Sequence, residues 1–189
     1  MPHAIEIATS GRAKCRGCDR AIAKGELRFG ERQPNSFGDG EMTLWFHLPC
    51  AAYKRPEPFL EALRGPQNPD DAEDVSGRVR REDVPDADAL EADAAFGIAH
   101  RRLPRINGAD RAPTGRARCR RCKELIAKDA WRIALVFFEE YRFQPGGFIH
   151  AACARDYFET LDVLDRIRHF GPGLERADLD ELSAALDAR

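Results

Sequence analysis

SGRAKCRGCDRAIAKGELR (residues 10–28) and TGRARCRRCKELIAKDAWR (residues 114–132) are two copies of one segment, sharing the Cys-x-x-Cys pair, an Ile-Ala-Lys and a closing arginine. Each copy is followed by a His-x-x-Cys, His47-Leu48-Pro49-Cys50 in the first and His150-Ala151-Ala152-Cys153 in the second. The six cysteines fall at 15, 18 and 50, then at 119, 122 and 153, so each has a counterpart about 104 positions further on. Self-similarity at that spacing is the mark of a module used twice.

Between the inner ligands lie 28 residues in the first module (Cys18 to His47) and 27 in the second (Cys122 to His150). Two residues between ligands let a tight turn aim both sulfurs at one ion, and a second close pair completes a tetrahedron. The expected ligand sets are Cys15, Cys18, His47 and Cys50, and Cys119, Cys122, His150 and Cys153. Three thiolates with one imidazole favour zinc, two ions in all, with iron as the alternative metal. Four protein ligands leave no open position for water, so such a site is structural and generates no nucleophile. A lone Cys-x-x-Cys also suits a thioredoxin-like redox pair. The recurrence of His-x-x-Cys in both modules argues for metal instead.

Working outward, Leu27 to Glu31 and the β-prone run WRIALVFF (131–138) read as strands. AAYKRPEPFLEALR (51–64) and AACARDYFETLDVLDRIRHF (151–170) read as helical, the first cut into short pieces by Pro56 and Pro58. In the second run Tyr157, Phe158, Leu161 and Leu164 recur at helical spacing and are expected in the core, with Trp45, Phe46 and Trp131. Residues 84–95 and 174–187 read as closing helices, and the acidic, turn-rich residues 65–83 as an exposed connection. The expected fold is α+β: two small zinc-stabilised domains, residues 1–97 and 98–189, each a short antiparallel sheet with a Cys3His site and C-terminal helices. His3, His100 and His169 have no metal-ligand spacing and are expected to be solvent-exposed.

A net charge of −2 conceals a segregated pattern. Residues 1–64 carry 10 basic and 8 acidic side chains and residues 98–156 carry 13 and 6, whereas residues 65–97 carry 3 and 10 and residues 157–189 carry 4 and 8. The cysteine-bearing parts are therefore basic and the connecting parts acidic, as expected if one portion of each module faces a polyanion. No basic segment followed by an apolar run opens the chain, and no apolar stretch is long enough to cross a bilayer, so a soluble intracellular protein without a membrane partner is expected. The excess of arginine over lysine, with abundant alanine and aspartate, hints at a high-GC genome. The expected place is then the bacterial cytoplasm or nucleoid, or the nucleus in a eukaryote.

IEIATSGRAKCRGC, IAKGELR, FGDGEMTLWFHLPC and the closing PGLERADLDELSAAL together resemble the PARP-type zinc finger, the DNA-break-sensing module of poly(ADP-ribose) polymerase and one eukaryotic DNA ligase. The likeness covers nearly the whole chain in two copies. The second copy departs from the pattern: it has EEYRFQPGGFIH in place of the aspartate-glycine loop, and Phe148-Ile149 in place of the Trp-aromatic pair. The resemblance implies that Arg12 and Arg116, just before the first ligand, and Arg28 and Arg132, closing the next strand, grip the phosphate backbone. Arg16, Arg118, Arg120 and Arg121 would extend that footprint. It also implies that Phe37 and Met42 in the first finger, matched by Tyr141 and Phe143 in the second, cap the base pair exposed at a break, where a bare π-face invites stacking.

The sequence contains no phosphate-binding glycine loop and no nucleophile paired with a base, and no transferase or ligase domain is expected beyond the second finger. The expectation is a monomeric, non-enzymatic DNA-binding protein that reads breaks, nicks or single-strand junctions and recruits a repair protein. The rival classes are a zinc-scaffolded protein-interaction adaptor acting through its acidic linker or helical tail, and a thiolate-based redox sensor.

Overall fold

The computed structural model describes residues 3–35, 38–65 and 79–188. The chain folds as two compact units, Met1–Ala99 and His100–Arg189. Both combine a three-stranded antiparallel sheet with helices, an α+β architecture built twice.

In the first unit the strands β1 (Ala4–Ile7), β2 (Leu27–Pro34) and β3 (Glu41–His47) pair in the order β1-β2-β3. Phe29 of β2 stands in register between Ile5 and Phe46, and all three are buried. Phe59 of helix α2 (Pro56–Arg64) meets Phe29 edge-on, with ring centroids 5.7 Å apart. Phe29, Phe46 and Phe59 are wholly buried, so truncating any one to alanine costs about 3–5 kcal/mol. Helix α1 (Leu48–Lys54) ends at Arg55 because Pro56 has no N–H to continue the ladder; its fixed φ instead opens α2. The short helical pieces expected from Pro56 and Pro58 are thus what forms. Helix α3 (Ala87–Ala99) closes the unit and runs past the 97/98 boundary expected from the sequence. Arg81 clasps it through Asp88 and Glu91, and Arg64 of α2 also holds Glu91. Most of the expected acidic connection, residues 66–78, lies outside the described residues.

In the second unit β4 (Ile106–Arg111), β5 (Trp131–Glu139) and β6 (Arg142–His150) pair in the order β4-β5-β6, around a core of Ile106, Ile133, Leu135 and Ile149. Gly108, with φ +90°, would carry a Cβ only 3.1 Å from the Phe170 carbonyl oxygen, so glycine lets the end of helix α5 (Leu164–Phe170) lie against β4. The helix expected over 151–170 is broken. A 3₁₀ turn (Ala151–Cys153) leads into α4 (Ala154–Phe158), Glu159 turns left-handed at φ +65°, and α5 starts again at Leu164. Tyr157 and Phe158 are buried as expected, but Leu161 and Leu164, beyond the break, are only half-buried. Helix α6 (Arg176–Asp187) opens with a reciprocal capping box between Glu175 and Asp178.

Candidate metal centres and their basic rim

Each Cys-x-x-Cys is folded into a knuckle by backbone bonds that recur at equivalent positions. The Cys15 N–H donates to the Arg20 carbonyl and the Asp19 N–H to the Cys15 carbonyl, each at 2.8 Å. In the second unit the Cys119 N–H donates to Glu124 at 2.8 Å and the Lys123 N–H to Cys119 at 2.9 Å. The turn needs a left-handed residue, supplied by Asp19 (φ +58°) and Lys123 (φ +70°). Wholly buried Ile22 and Ile126 anchor the knuckles, and the Arg16 and Arg120 N–H groups tie them to the Trp45 and Phe148 carbonyls. His47 and His150 end β3 and β6, so the last strand of each sheet delivers the imidazole and the following turn delivers Cys50 or Cys153.

These elements bring the four expected ligand atoms of each unit within 4.8 Å of one another. His47 Nδ1 lies 3.4 Å from Cys18 Sγ and 3.9 Å from Cys50 Sγ; His150 Nδ1 lies 3.5 Å from Cys122 Sγ and 3.8 Å from Cys153 Sγ. A zinc tetrahedron with ordinary Zn–S and Zn–N bonds has an S···N edge of about 3.6 Å, so the donor sets fit that ion. The opposite ring nitrogens settle the tautomer: Nε2–H of His47 donates to the Ala21 carbonyl at 3.3 Å, and that of His150 to the Leu125 carbonyl at 3.2 Å. Nδ1 is thereby left with its lone pair facing the sulfurs, the usual outer support of a metal-binding imidazole. Each group can hold one zinc ion.

The thiols are electrostatically uneven. Cys18 is held below the ordinary thiol range by hydrogen bonds with Cys15 and Cys50, helped by Arg20, while Cys15 is pushed up by its hydrogen bond with Cys18 and Cys50 by those with Cys15 and Cys18. In the second unit burial works to raise Cys119, but hydrogen bonds from the backbone N–H groups of Cys122, His150 and Arg121 outweigh it and bring it down to about 7. Cys153 is pushed up to about 12 by burial and by the charge of Cys119.

Around these centres Arg12, Arg16, Arg116, Arg118, Arg120 and Arg121 are exposed. Arg118 donates to the Lys123 carbonyl, Arg120 to the Gly146 carbonyl at 2.7 Å, and Arg121 lies 3.6 Å from Asp156. Arg28 and Arg132, expected from the resemblance to grip phosphate, are set deeper than these exposed arginines. Only 7% and 8% exposed, they lie 3.6 Å over the rings of Trp45 and Phe148, and Glu6 and Asp110 hold their guanidinium groups. Each thus braces the strand that carries the histidine: Arg28 pairs in register with His47 and Arg132 with His150.

Phe37 lies outside the described residues. Met42 sits half-buried on β3 opposite Gln33, on a strand rather than in a loop. Tyr141 is half-buried in the two-residue turn between β5 and β6, with Glu140 and Tyr141 at φ +48° and +62°. Phe143 faces Phe138 across the hairpin with centroids 4.9 Å apart, an aromatic pair that the repeat alignment did not point to. The three unligated histidines are half-buried rather than exposed; His3 accepts the Arg32 N–H and meets Phe29 edge-on. Also missed was Glu31, wholly buried and gripped by Arg55 at 2.5 and 2.7 Å, with Gln33 donating at 2.7 Å. Its counterpart in the second copy is Leu135, so the repeat held no sign of a charge there.

Sheet, knuckle and Cys3His group together define a tandem zinc-finger protein. Residues 6–93 match the family described as the poly(ADP-ribose) polymerase and DNA-ligase Zn-finger region, and the first unit is a finger of that family. A poly [ADP-ribose] polymerase of Sarcophaga peregrina is 28% identical over 96% of the chain, and poly [ADP-ribose] polymerase 1 of Caenorhabditis elegans is 46% identical over 34% of it. The polynucleotide 3'-phosphatase ZDP of Arabidopsis thaliana is 26% identical over 96% of the chain. The chain spans only 19%, 7% and 28% of these relatives' lengths, and the family match falls on a zinc-finger region, not on a catalytic domain.

Proposed function

We propose that the protein binds DNA by structure rather than sequence, recognising strand breaks, nicks or single-strand junctions in damage sensing or repair, and that it does so without catalysing a reaction. The observation that carries this reading is the ring of exposed arginines on both knuckles, on a frame that the family match covers in the first unit. Guanidinium groups suit phosphate oxygens because they stay charged and can donate two parallel bonds. Backbone contacts position a protein on DNA without reading bases.

Arg12, Arg16, Arg116, Arg118 and Arg120 are assigned to phosphate, with Arg28 and Arg132 moved to a bracing role because their guanidinium groups are already committed. Stacking on the exposed base pair is assigned to Phe37 and Met42 in the first finger and to Tyr141 and Phe143 in the second. The test is a titration of the zinc-loaded protein against intact, nicked, gapped and single-stranded oligonucleotides of one sequence. Tighter binding to the nicked and gapped forms is expected. Equal affinity for intact and nicked duplex would sink break recognition, and no binding to any of them would favour an adaptor acting on protein partners.

A further inference from the structure

The two metal groups share a frame but differ around the second cysteine of each knuckle. In the first, Cys15 and Cys50 are buried and Cys18 is half-buried; in the second, Cys119 is buried, Cys153 half-buried and Cys122 exposed. Three differences produce this. Gly17 is buried, with its Cβ direction 3.0 Å from Cys50 Cβ and 3.6 Å from the Phe46 ring, so the first knuckle closes down on its centre. Arg121, at the matching position, is exposed and leaves the second more open. Cys50 is set in the seven-residue helix α1, whereas Cys153 ends a three-residue 3₁₀ turn. Finally, Arg20 Nε donates to Cys18 Sγ at 3.4 Å, but the matching residue in the second knuckle is Glu124, which has no proton to give and repels a thiolate.

The cations flanking Cys122 are engaged elsewhere: Arg121 with Asp156 at 3.6 Å, and Lys123 as donor to the Arg120 carbonyl at 2.8 Å. Hydrogen bonds to a metal-bound sulfur draw off electron density, so Cys122, exposed and with no guanidinium donor among the described residues, is the better nucleophile. We propose that Cys122 is a modification site for peroxides, through which the second finger discharges its zinc while the first keeps its own. The Cys122 thiolate attacks one oxygen of hydrogen peroxide; an S–O bond forms, the O–O bond breaks and hydroxide leaves. A neighbouring thiolate of the same group then displaces hydroxide from the sulfenic acid to give a disulfide. The sulfurs are oxidised by two electrons, the peroxide is reduced, and the remaining two ligands no longer retain the ion.

The experiment treats the full chain, loaded with two zinc ions, with substoichiometric hydrogen peroxide. Metal release is followed with a chromogenic chelator and the modified cysteines are mapped by mass spectrometry. Release from the second finger with Cys122 oxidised first is expected, at a rate about tenfold above the first finger. Glu124→Arg, checked by circular dichroism, should slow that phase, and Arg20→Ala should hasten release from the first finger. Equal rates in the two fingers, oxidation of Cys18 or Cys50 ahead of Cys122, or a Glu124→Arg protein that releases as fast as its parent would each overturn the proposal. No DNA enters these measurements, so their outcome is independent of the DNA-binding reading.

Discussion

Arg55→Ala removes both Arg55 donors that hold Glu31, a carboxylate with no solvent exposure, and leaves it, among the described residues, the Gln33 amide. Breaking a buried pair from one side costs about 3–5 kcal/mol, because the remaining charge keeps its desolvation penalty and loses its compensation. The surviving Gln33 bond puts the expected loss at the low end, about 3 kcal/mol. Exchanging the whole pair for apolar groups is close to neutral in such cases. The second finger offers a guide to the replacement, since Leu135 occupies the position of Glu31. Glu31→Leu combined with Arg55→Ala should therefore recover most of the loss, giving a coupling of about 2–3 kcal/mol in a double-mutant cycle. Each unit has one tryptophan, Trp45 or Trp131, so urea unfolding of the zinc-loaded chain in a Trp131→Phe background reads the first unit alone. With a slope of about 1.5 kcal/mol/M, the single variant should shift the midpoint by about 2 M. A shift below about 0.5 M, or a double variant as weak as Arg55→Ala, would refute the reasoning. The bridge matters to the metal centre because Arg55 also caps α1, the helix that carries Cys50.

Three further outcomes are expected. Arg12→Ala with Arg116→Ala should flatten the plot of log affinity against log salt by about 1.8, since each lost phosphate contact removes about 0.9 from the slope on duplex DNA; an unchanged slope measured by fluorescence anisotropy would exclude both residues from the interface. Cys15→Ala should reduce bound zinc from two ions to one and unfold the first unit alone, because metal binding and folding are linked; elemental analysis finding two ions would contradict the ligand assignment. Zinc uptake by the metal-free second finger at pH 7 should release protons, since Cys119, Cys122 and Cys153 must be thiolates to ligate and free thiols are mostly protonated at that pH. Ligation demands thiolates, so the folded, loaded state is favoured as pH rises and lost as it falls; calorimetry in buffers of different ionisation enthalpy counts the protons, and a count of zero would be inconsistent with this assignment.

The ligands were legible in the sequence because metal chemistry fixes them at short spacings, and the duplication made each copy a check on the other. Pro56 announced the break between α1 and α2 for an equally local reason. The break after Phe158 was not legible, because the apolar pattern continues through it and its left-handed residue is a glutamate instead of a glycine. The hairpin tip was hidden in the same way, with Glu140 and Tyr141 holding positive φ where Asn-Gly would have signalled a turn. The ion pairs of Arg28 and Arg132 were not legible because their carboxylates, Glu6 and Asp110, lie 22 residues away along the chain and become neighbours only through strand register.

The Nε2–H bonds from His47 and His150 end on the backbone oxygens of Ala21 and Leu125. A carbonyl oxygen has no codon. The two side chains are as unlike as alanine and leucine, yet they offer the same acceptor, so a saturation scan at positions 21 and 125 would register tolerance there. Such a scan would rank as dispensable the two positions that choose which nitrogen of each histidine faces the sulfurs. Genetics can reach this latch only by changing the path of the chain, through an insertion or deletion within the knuckle.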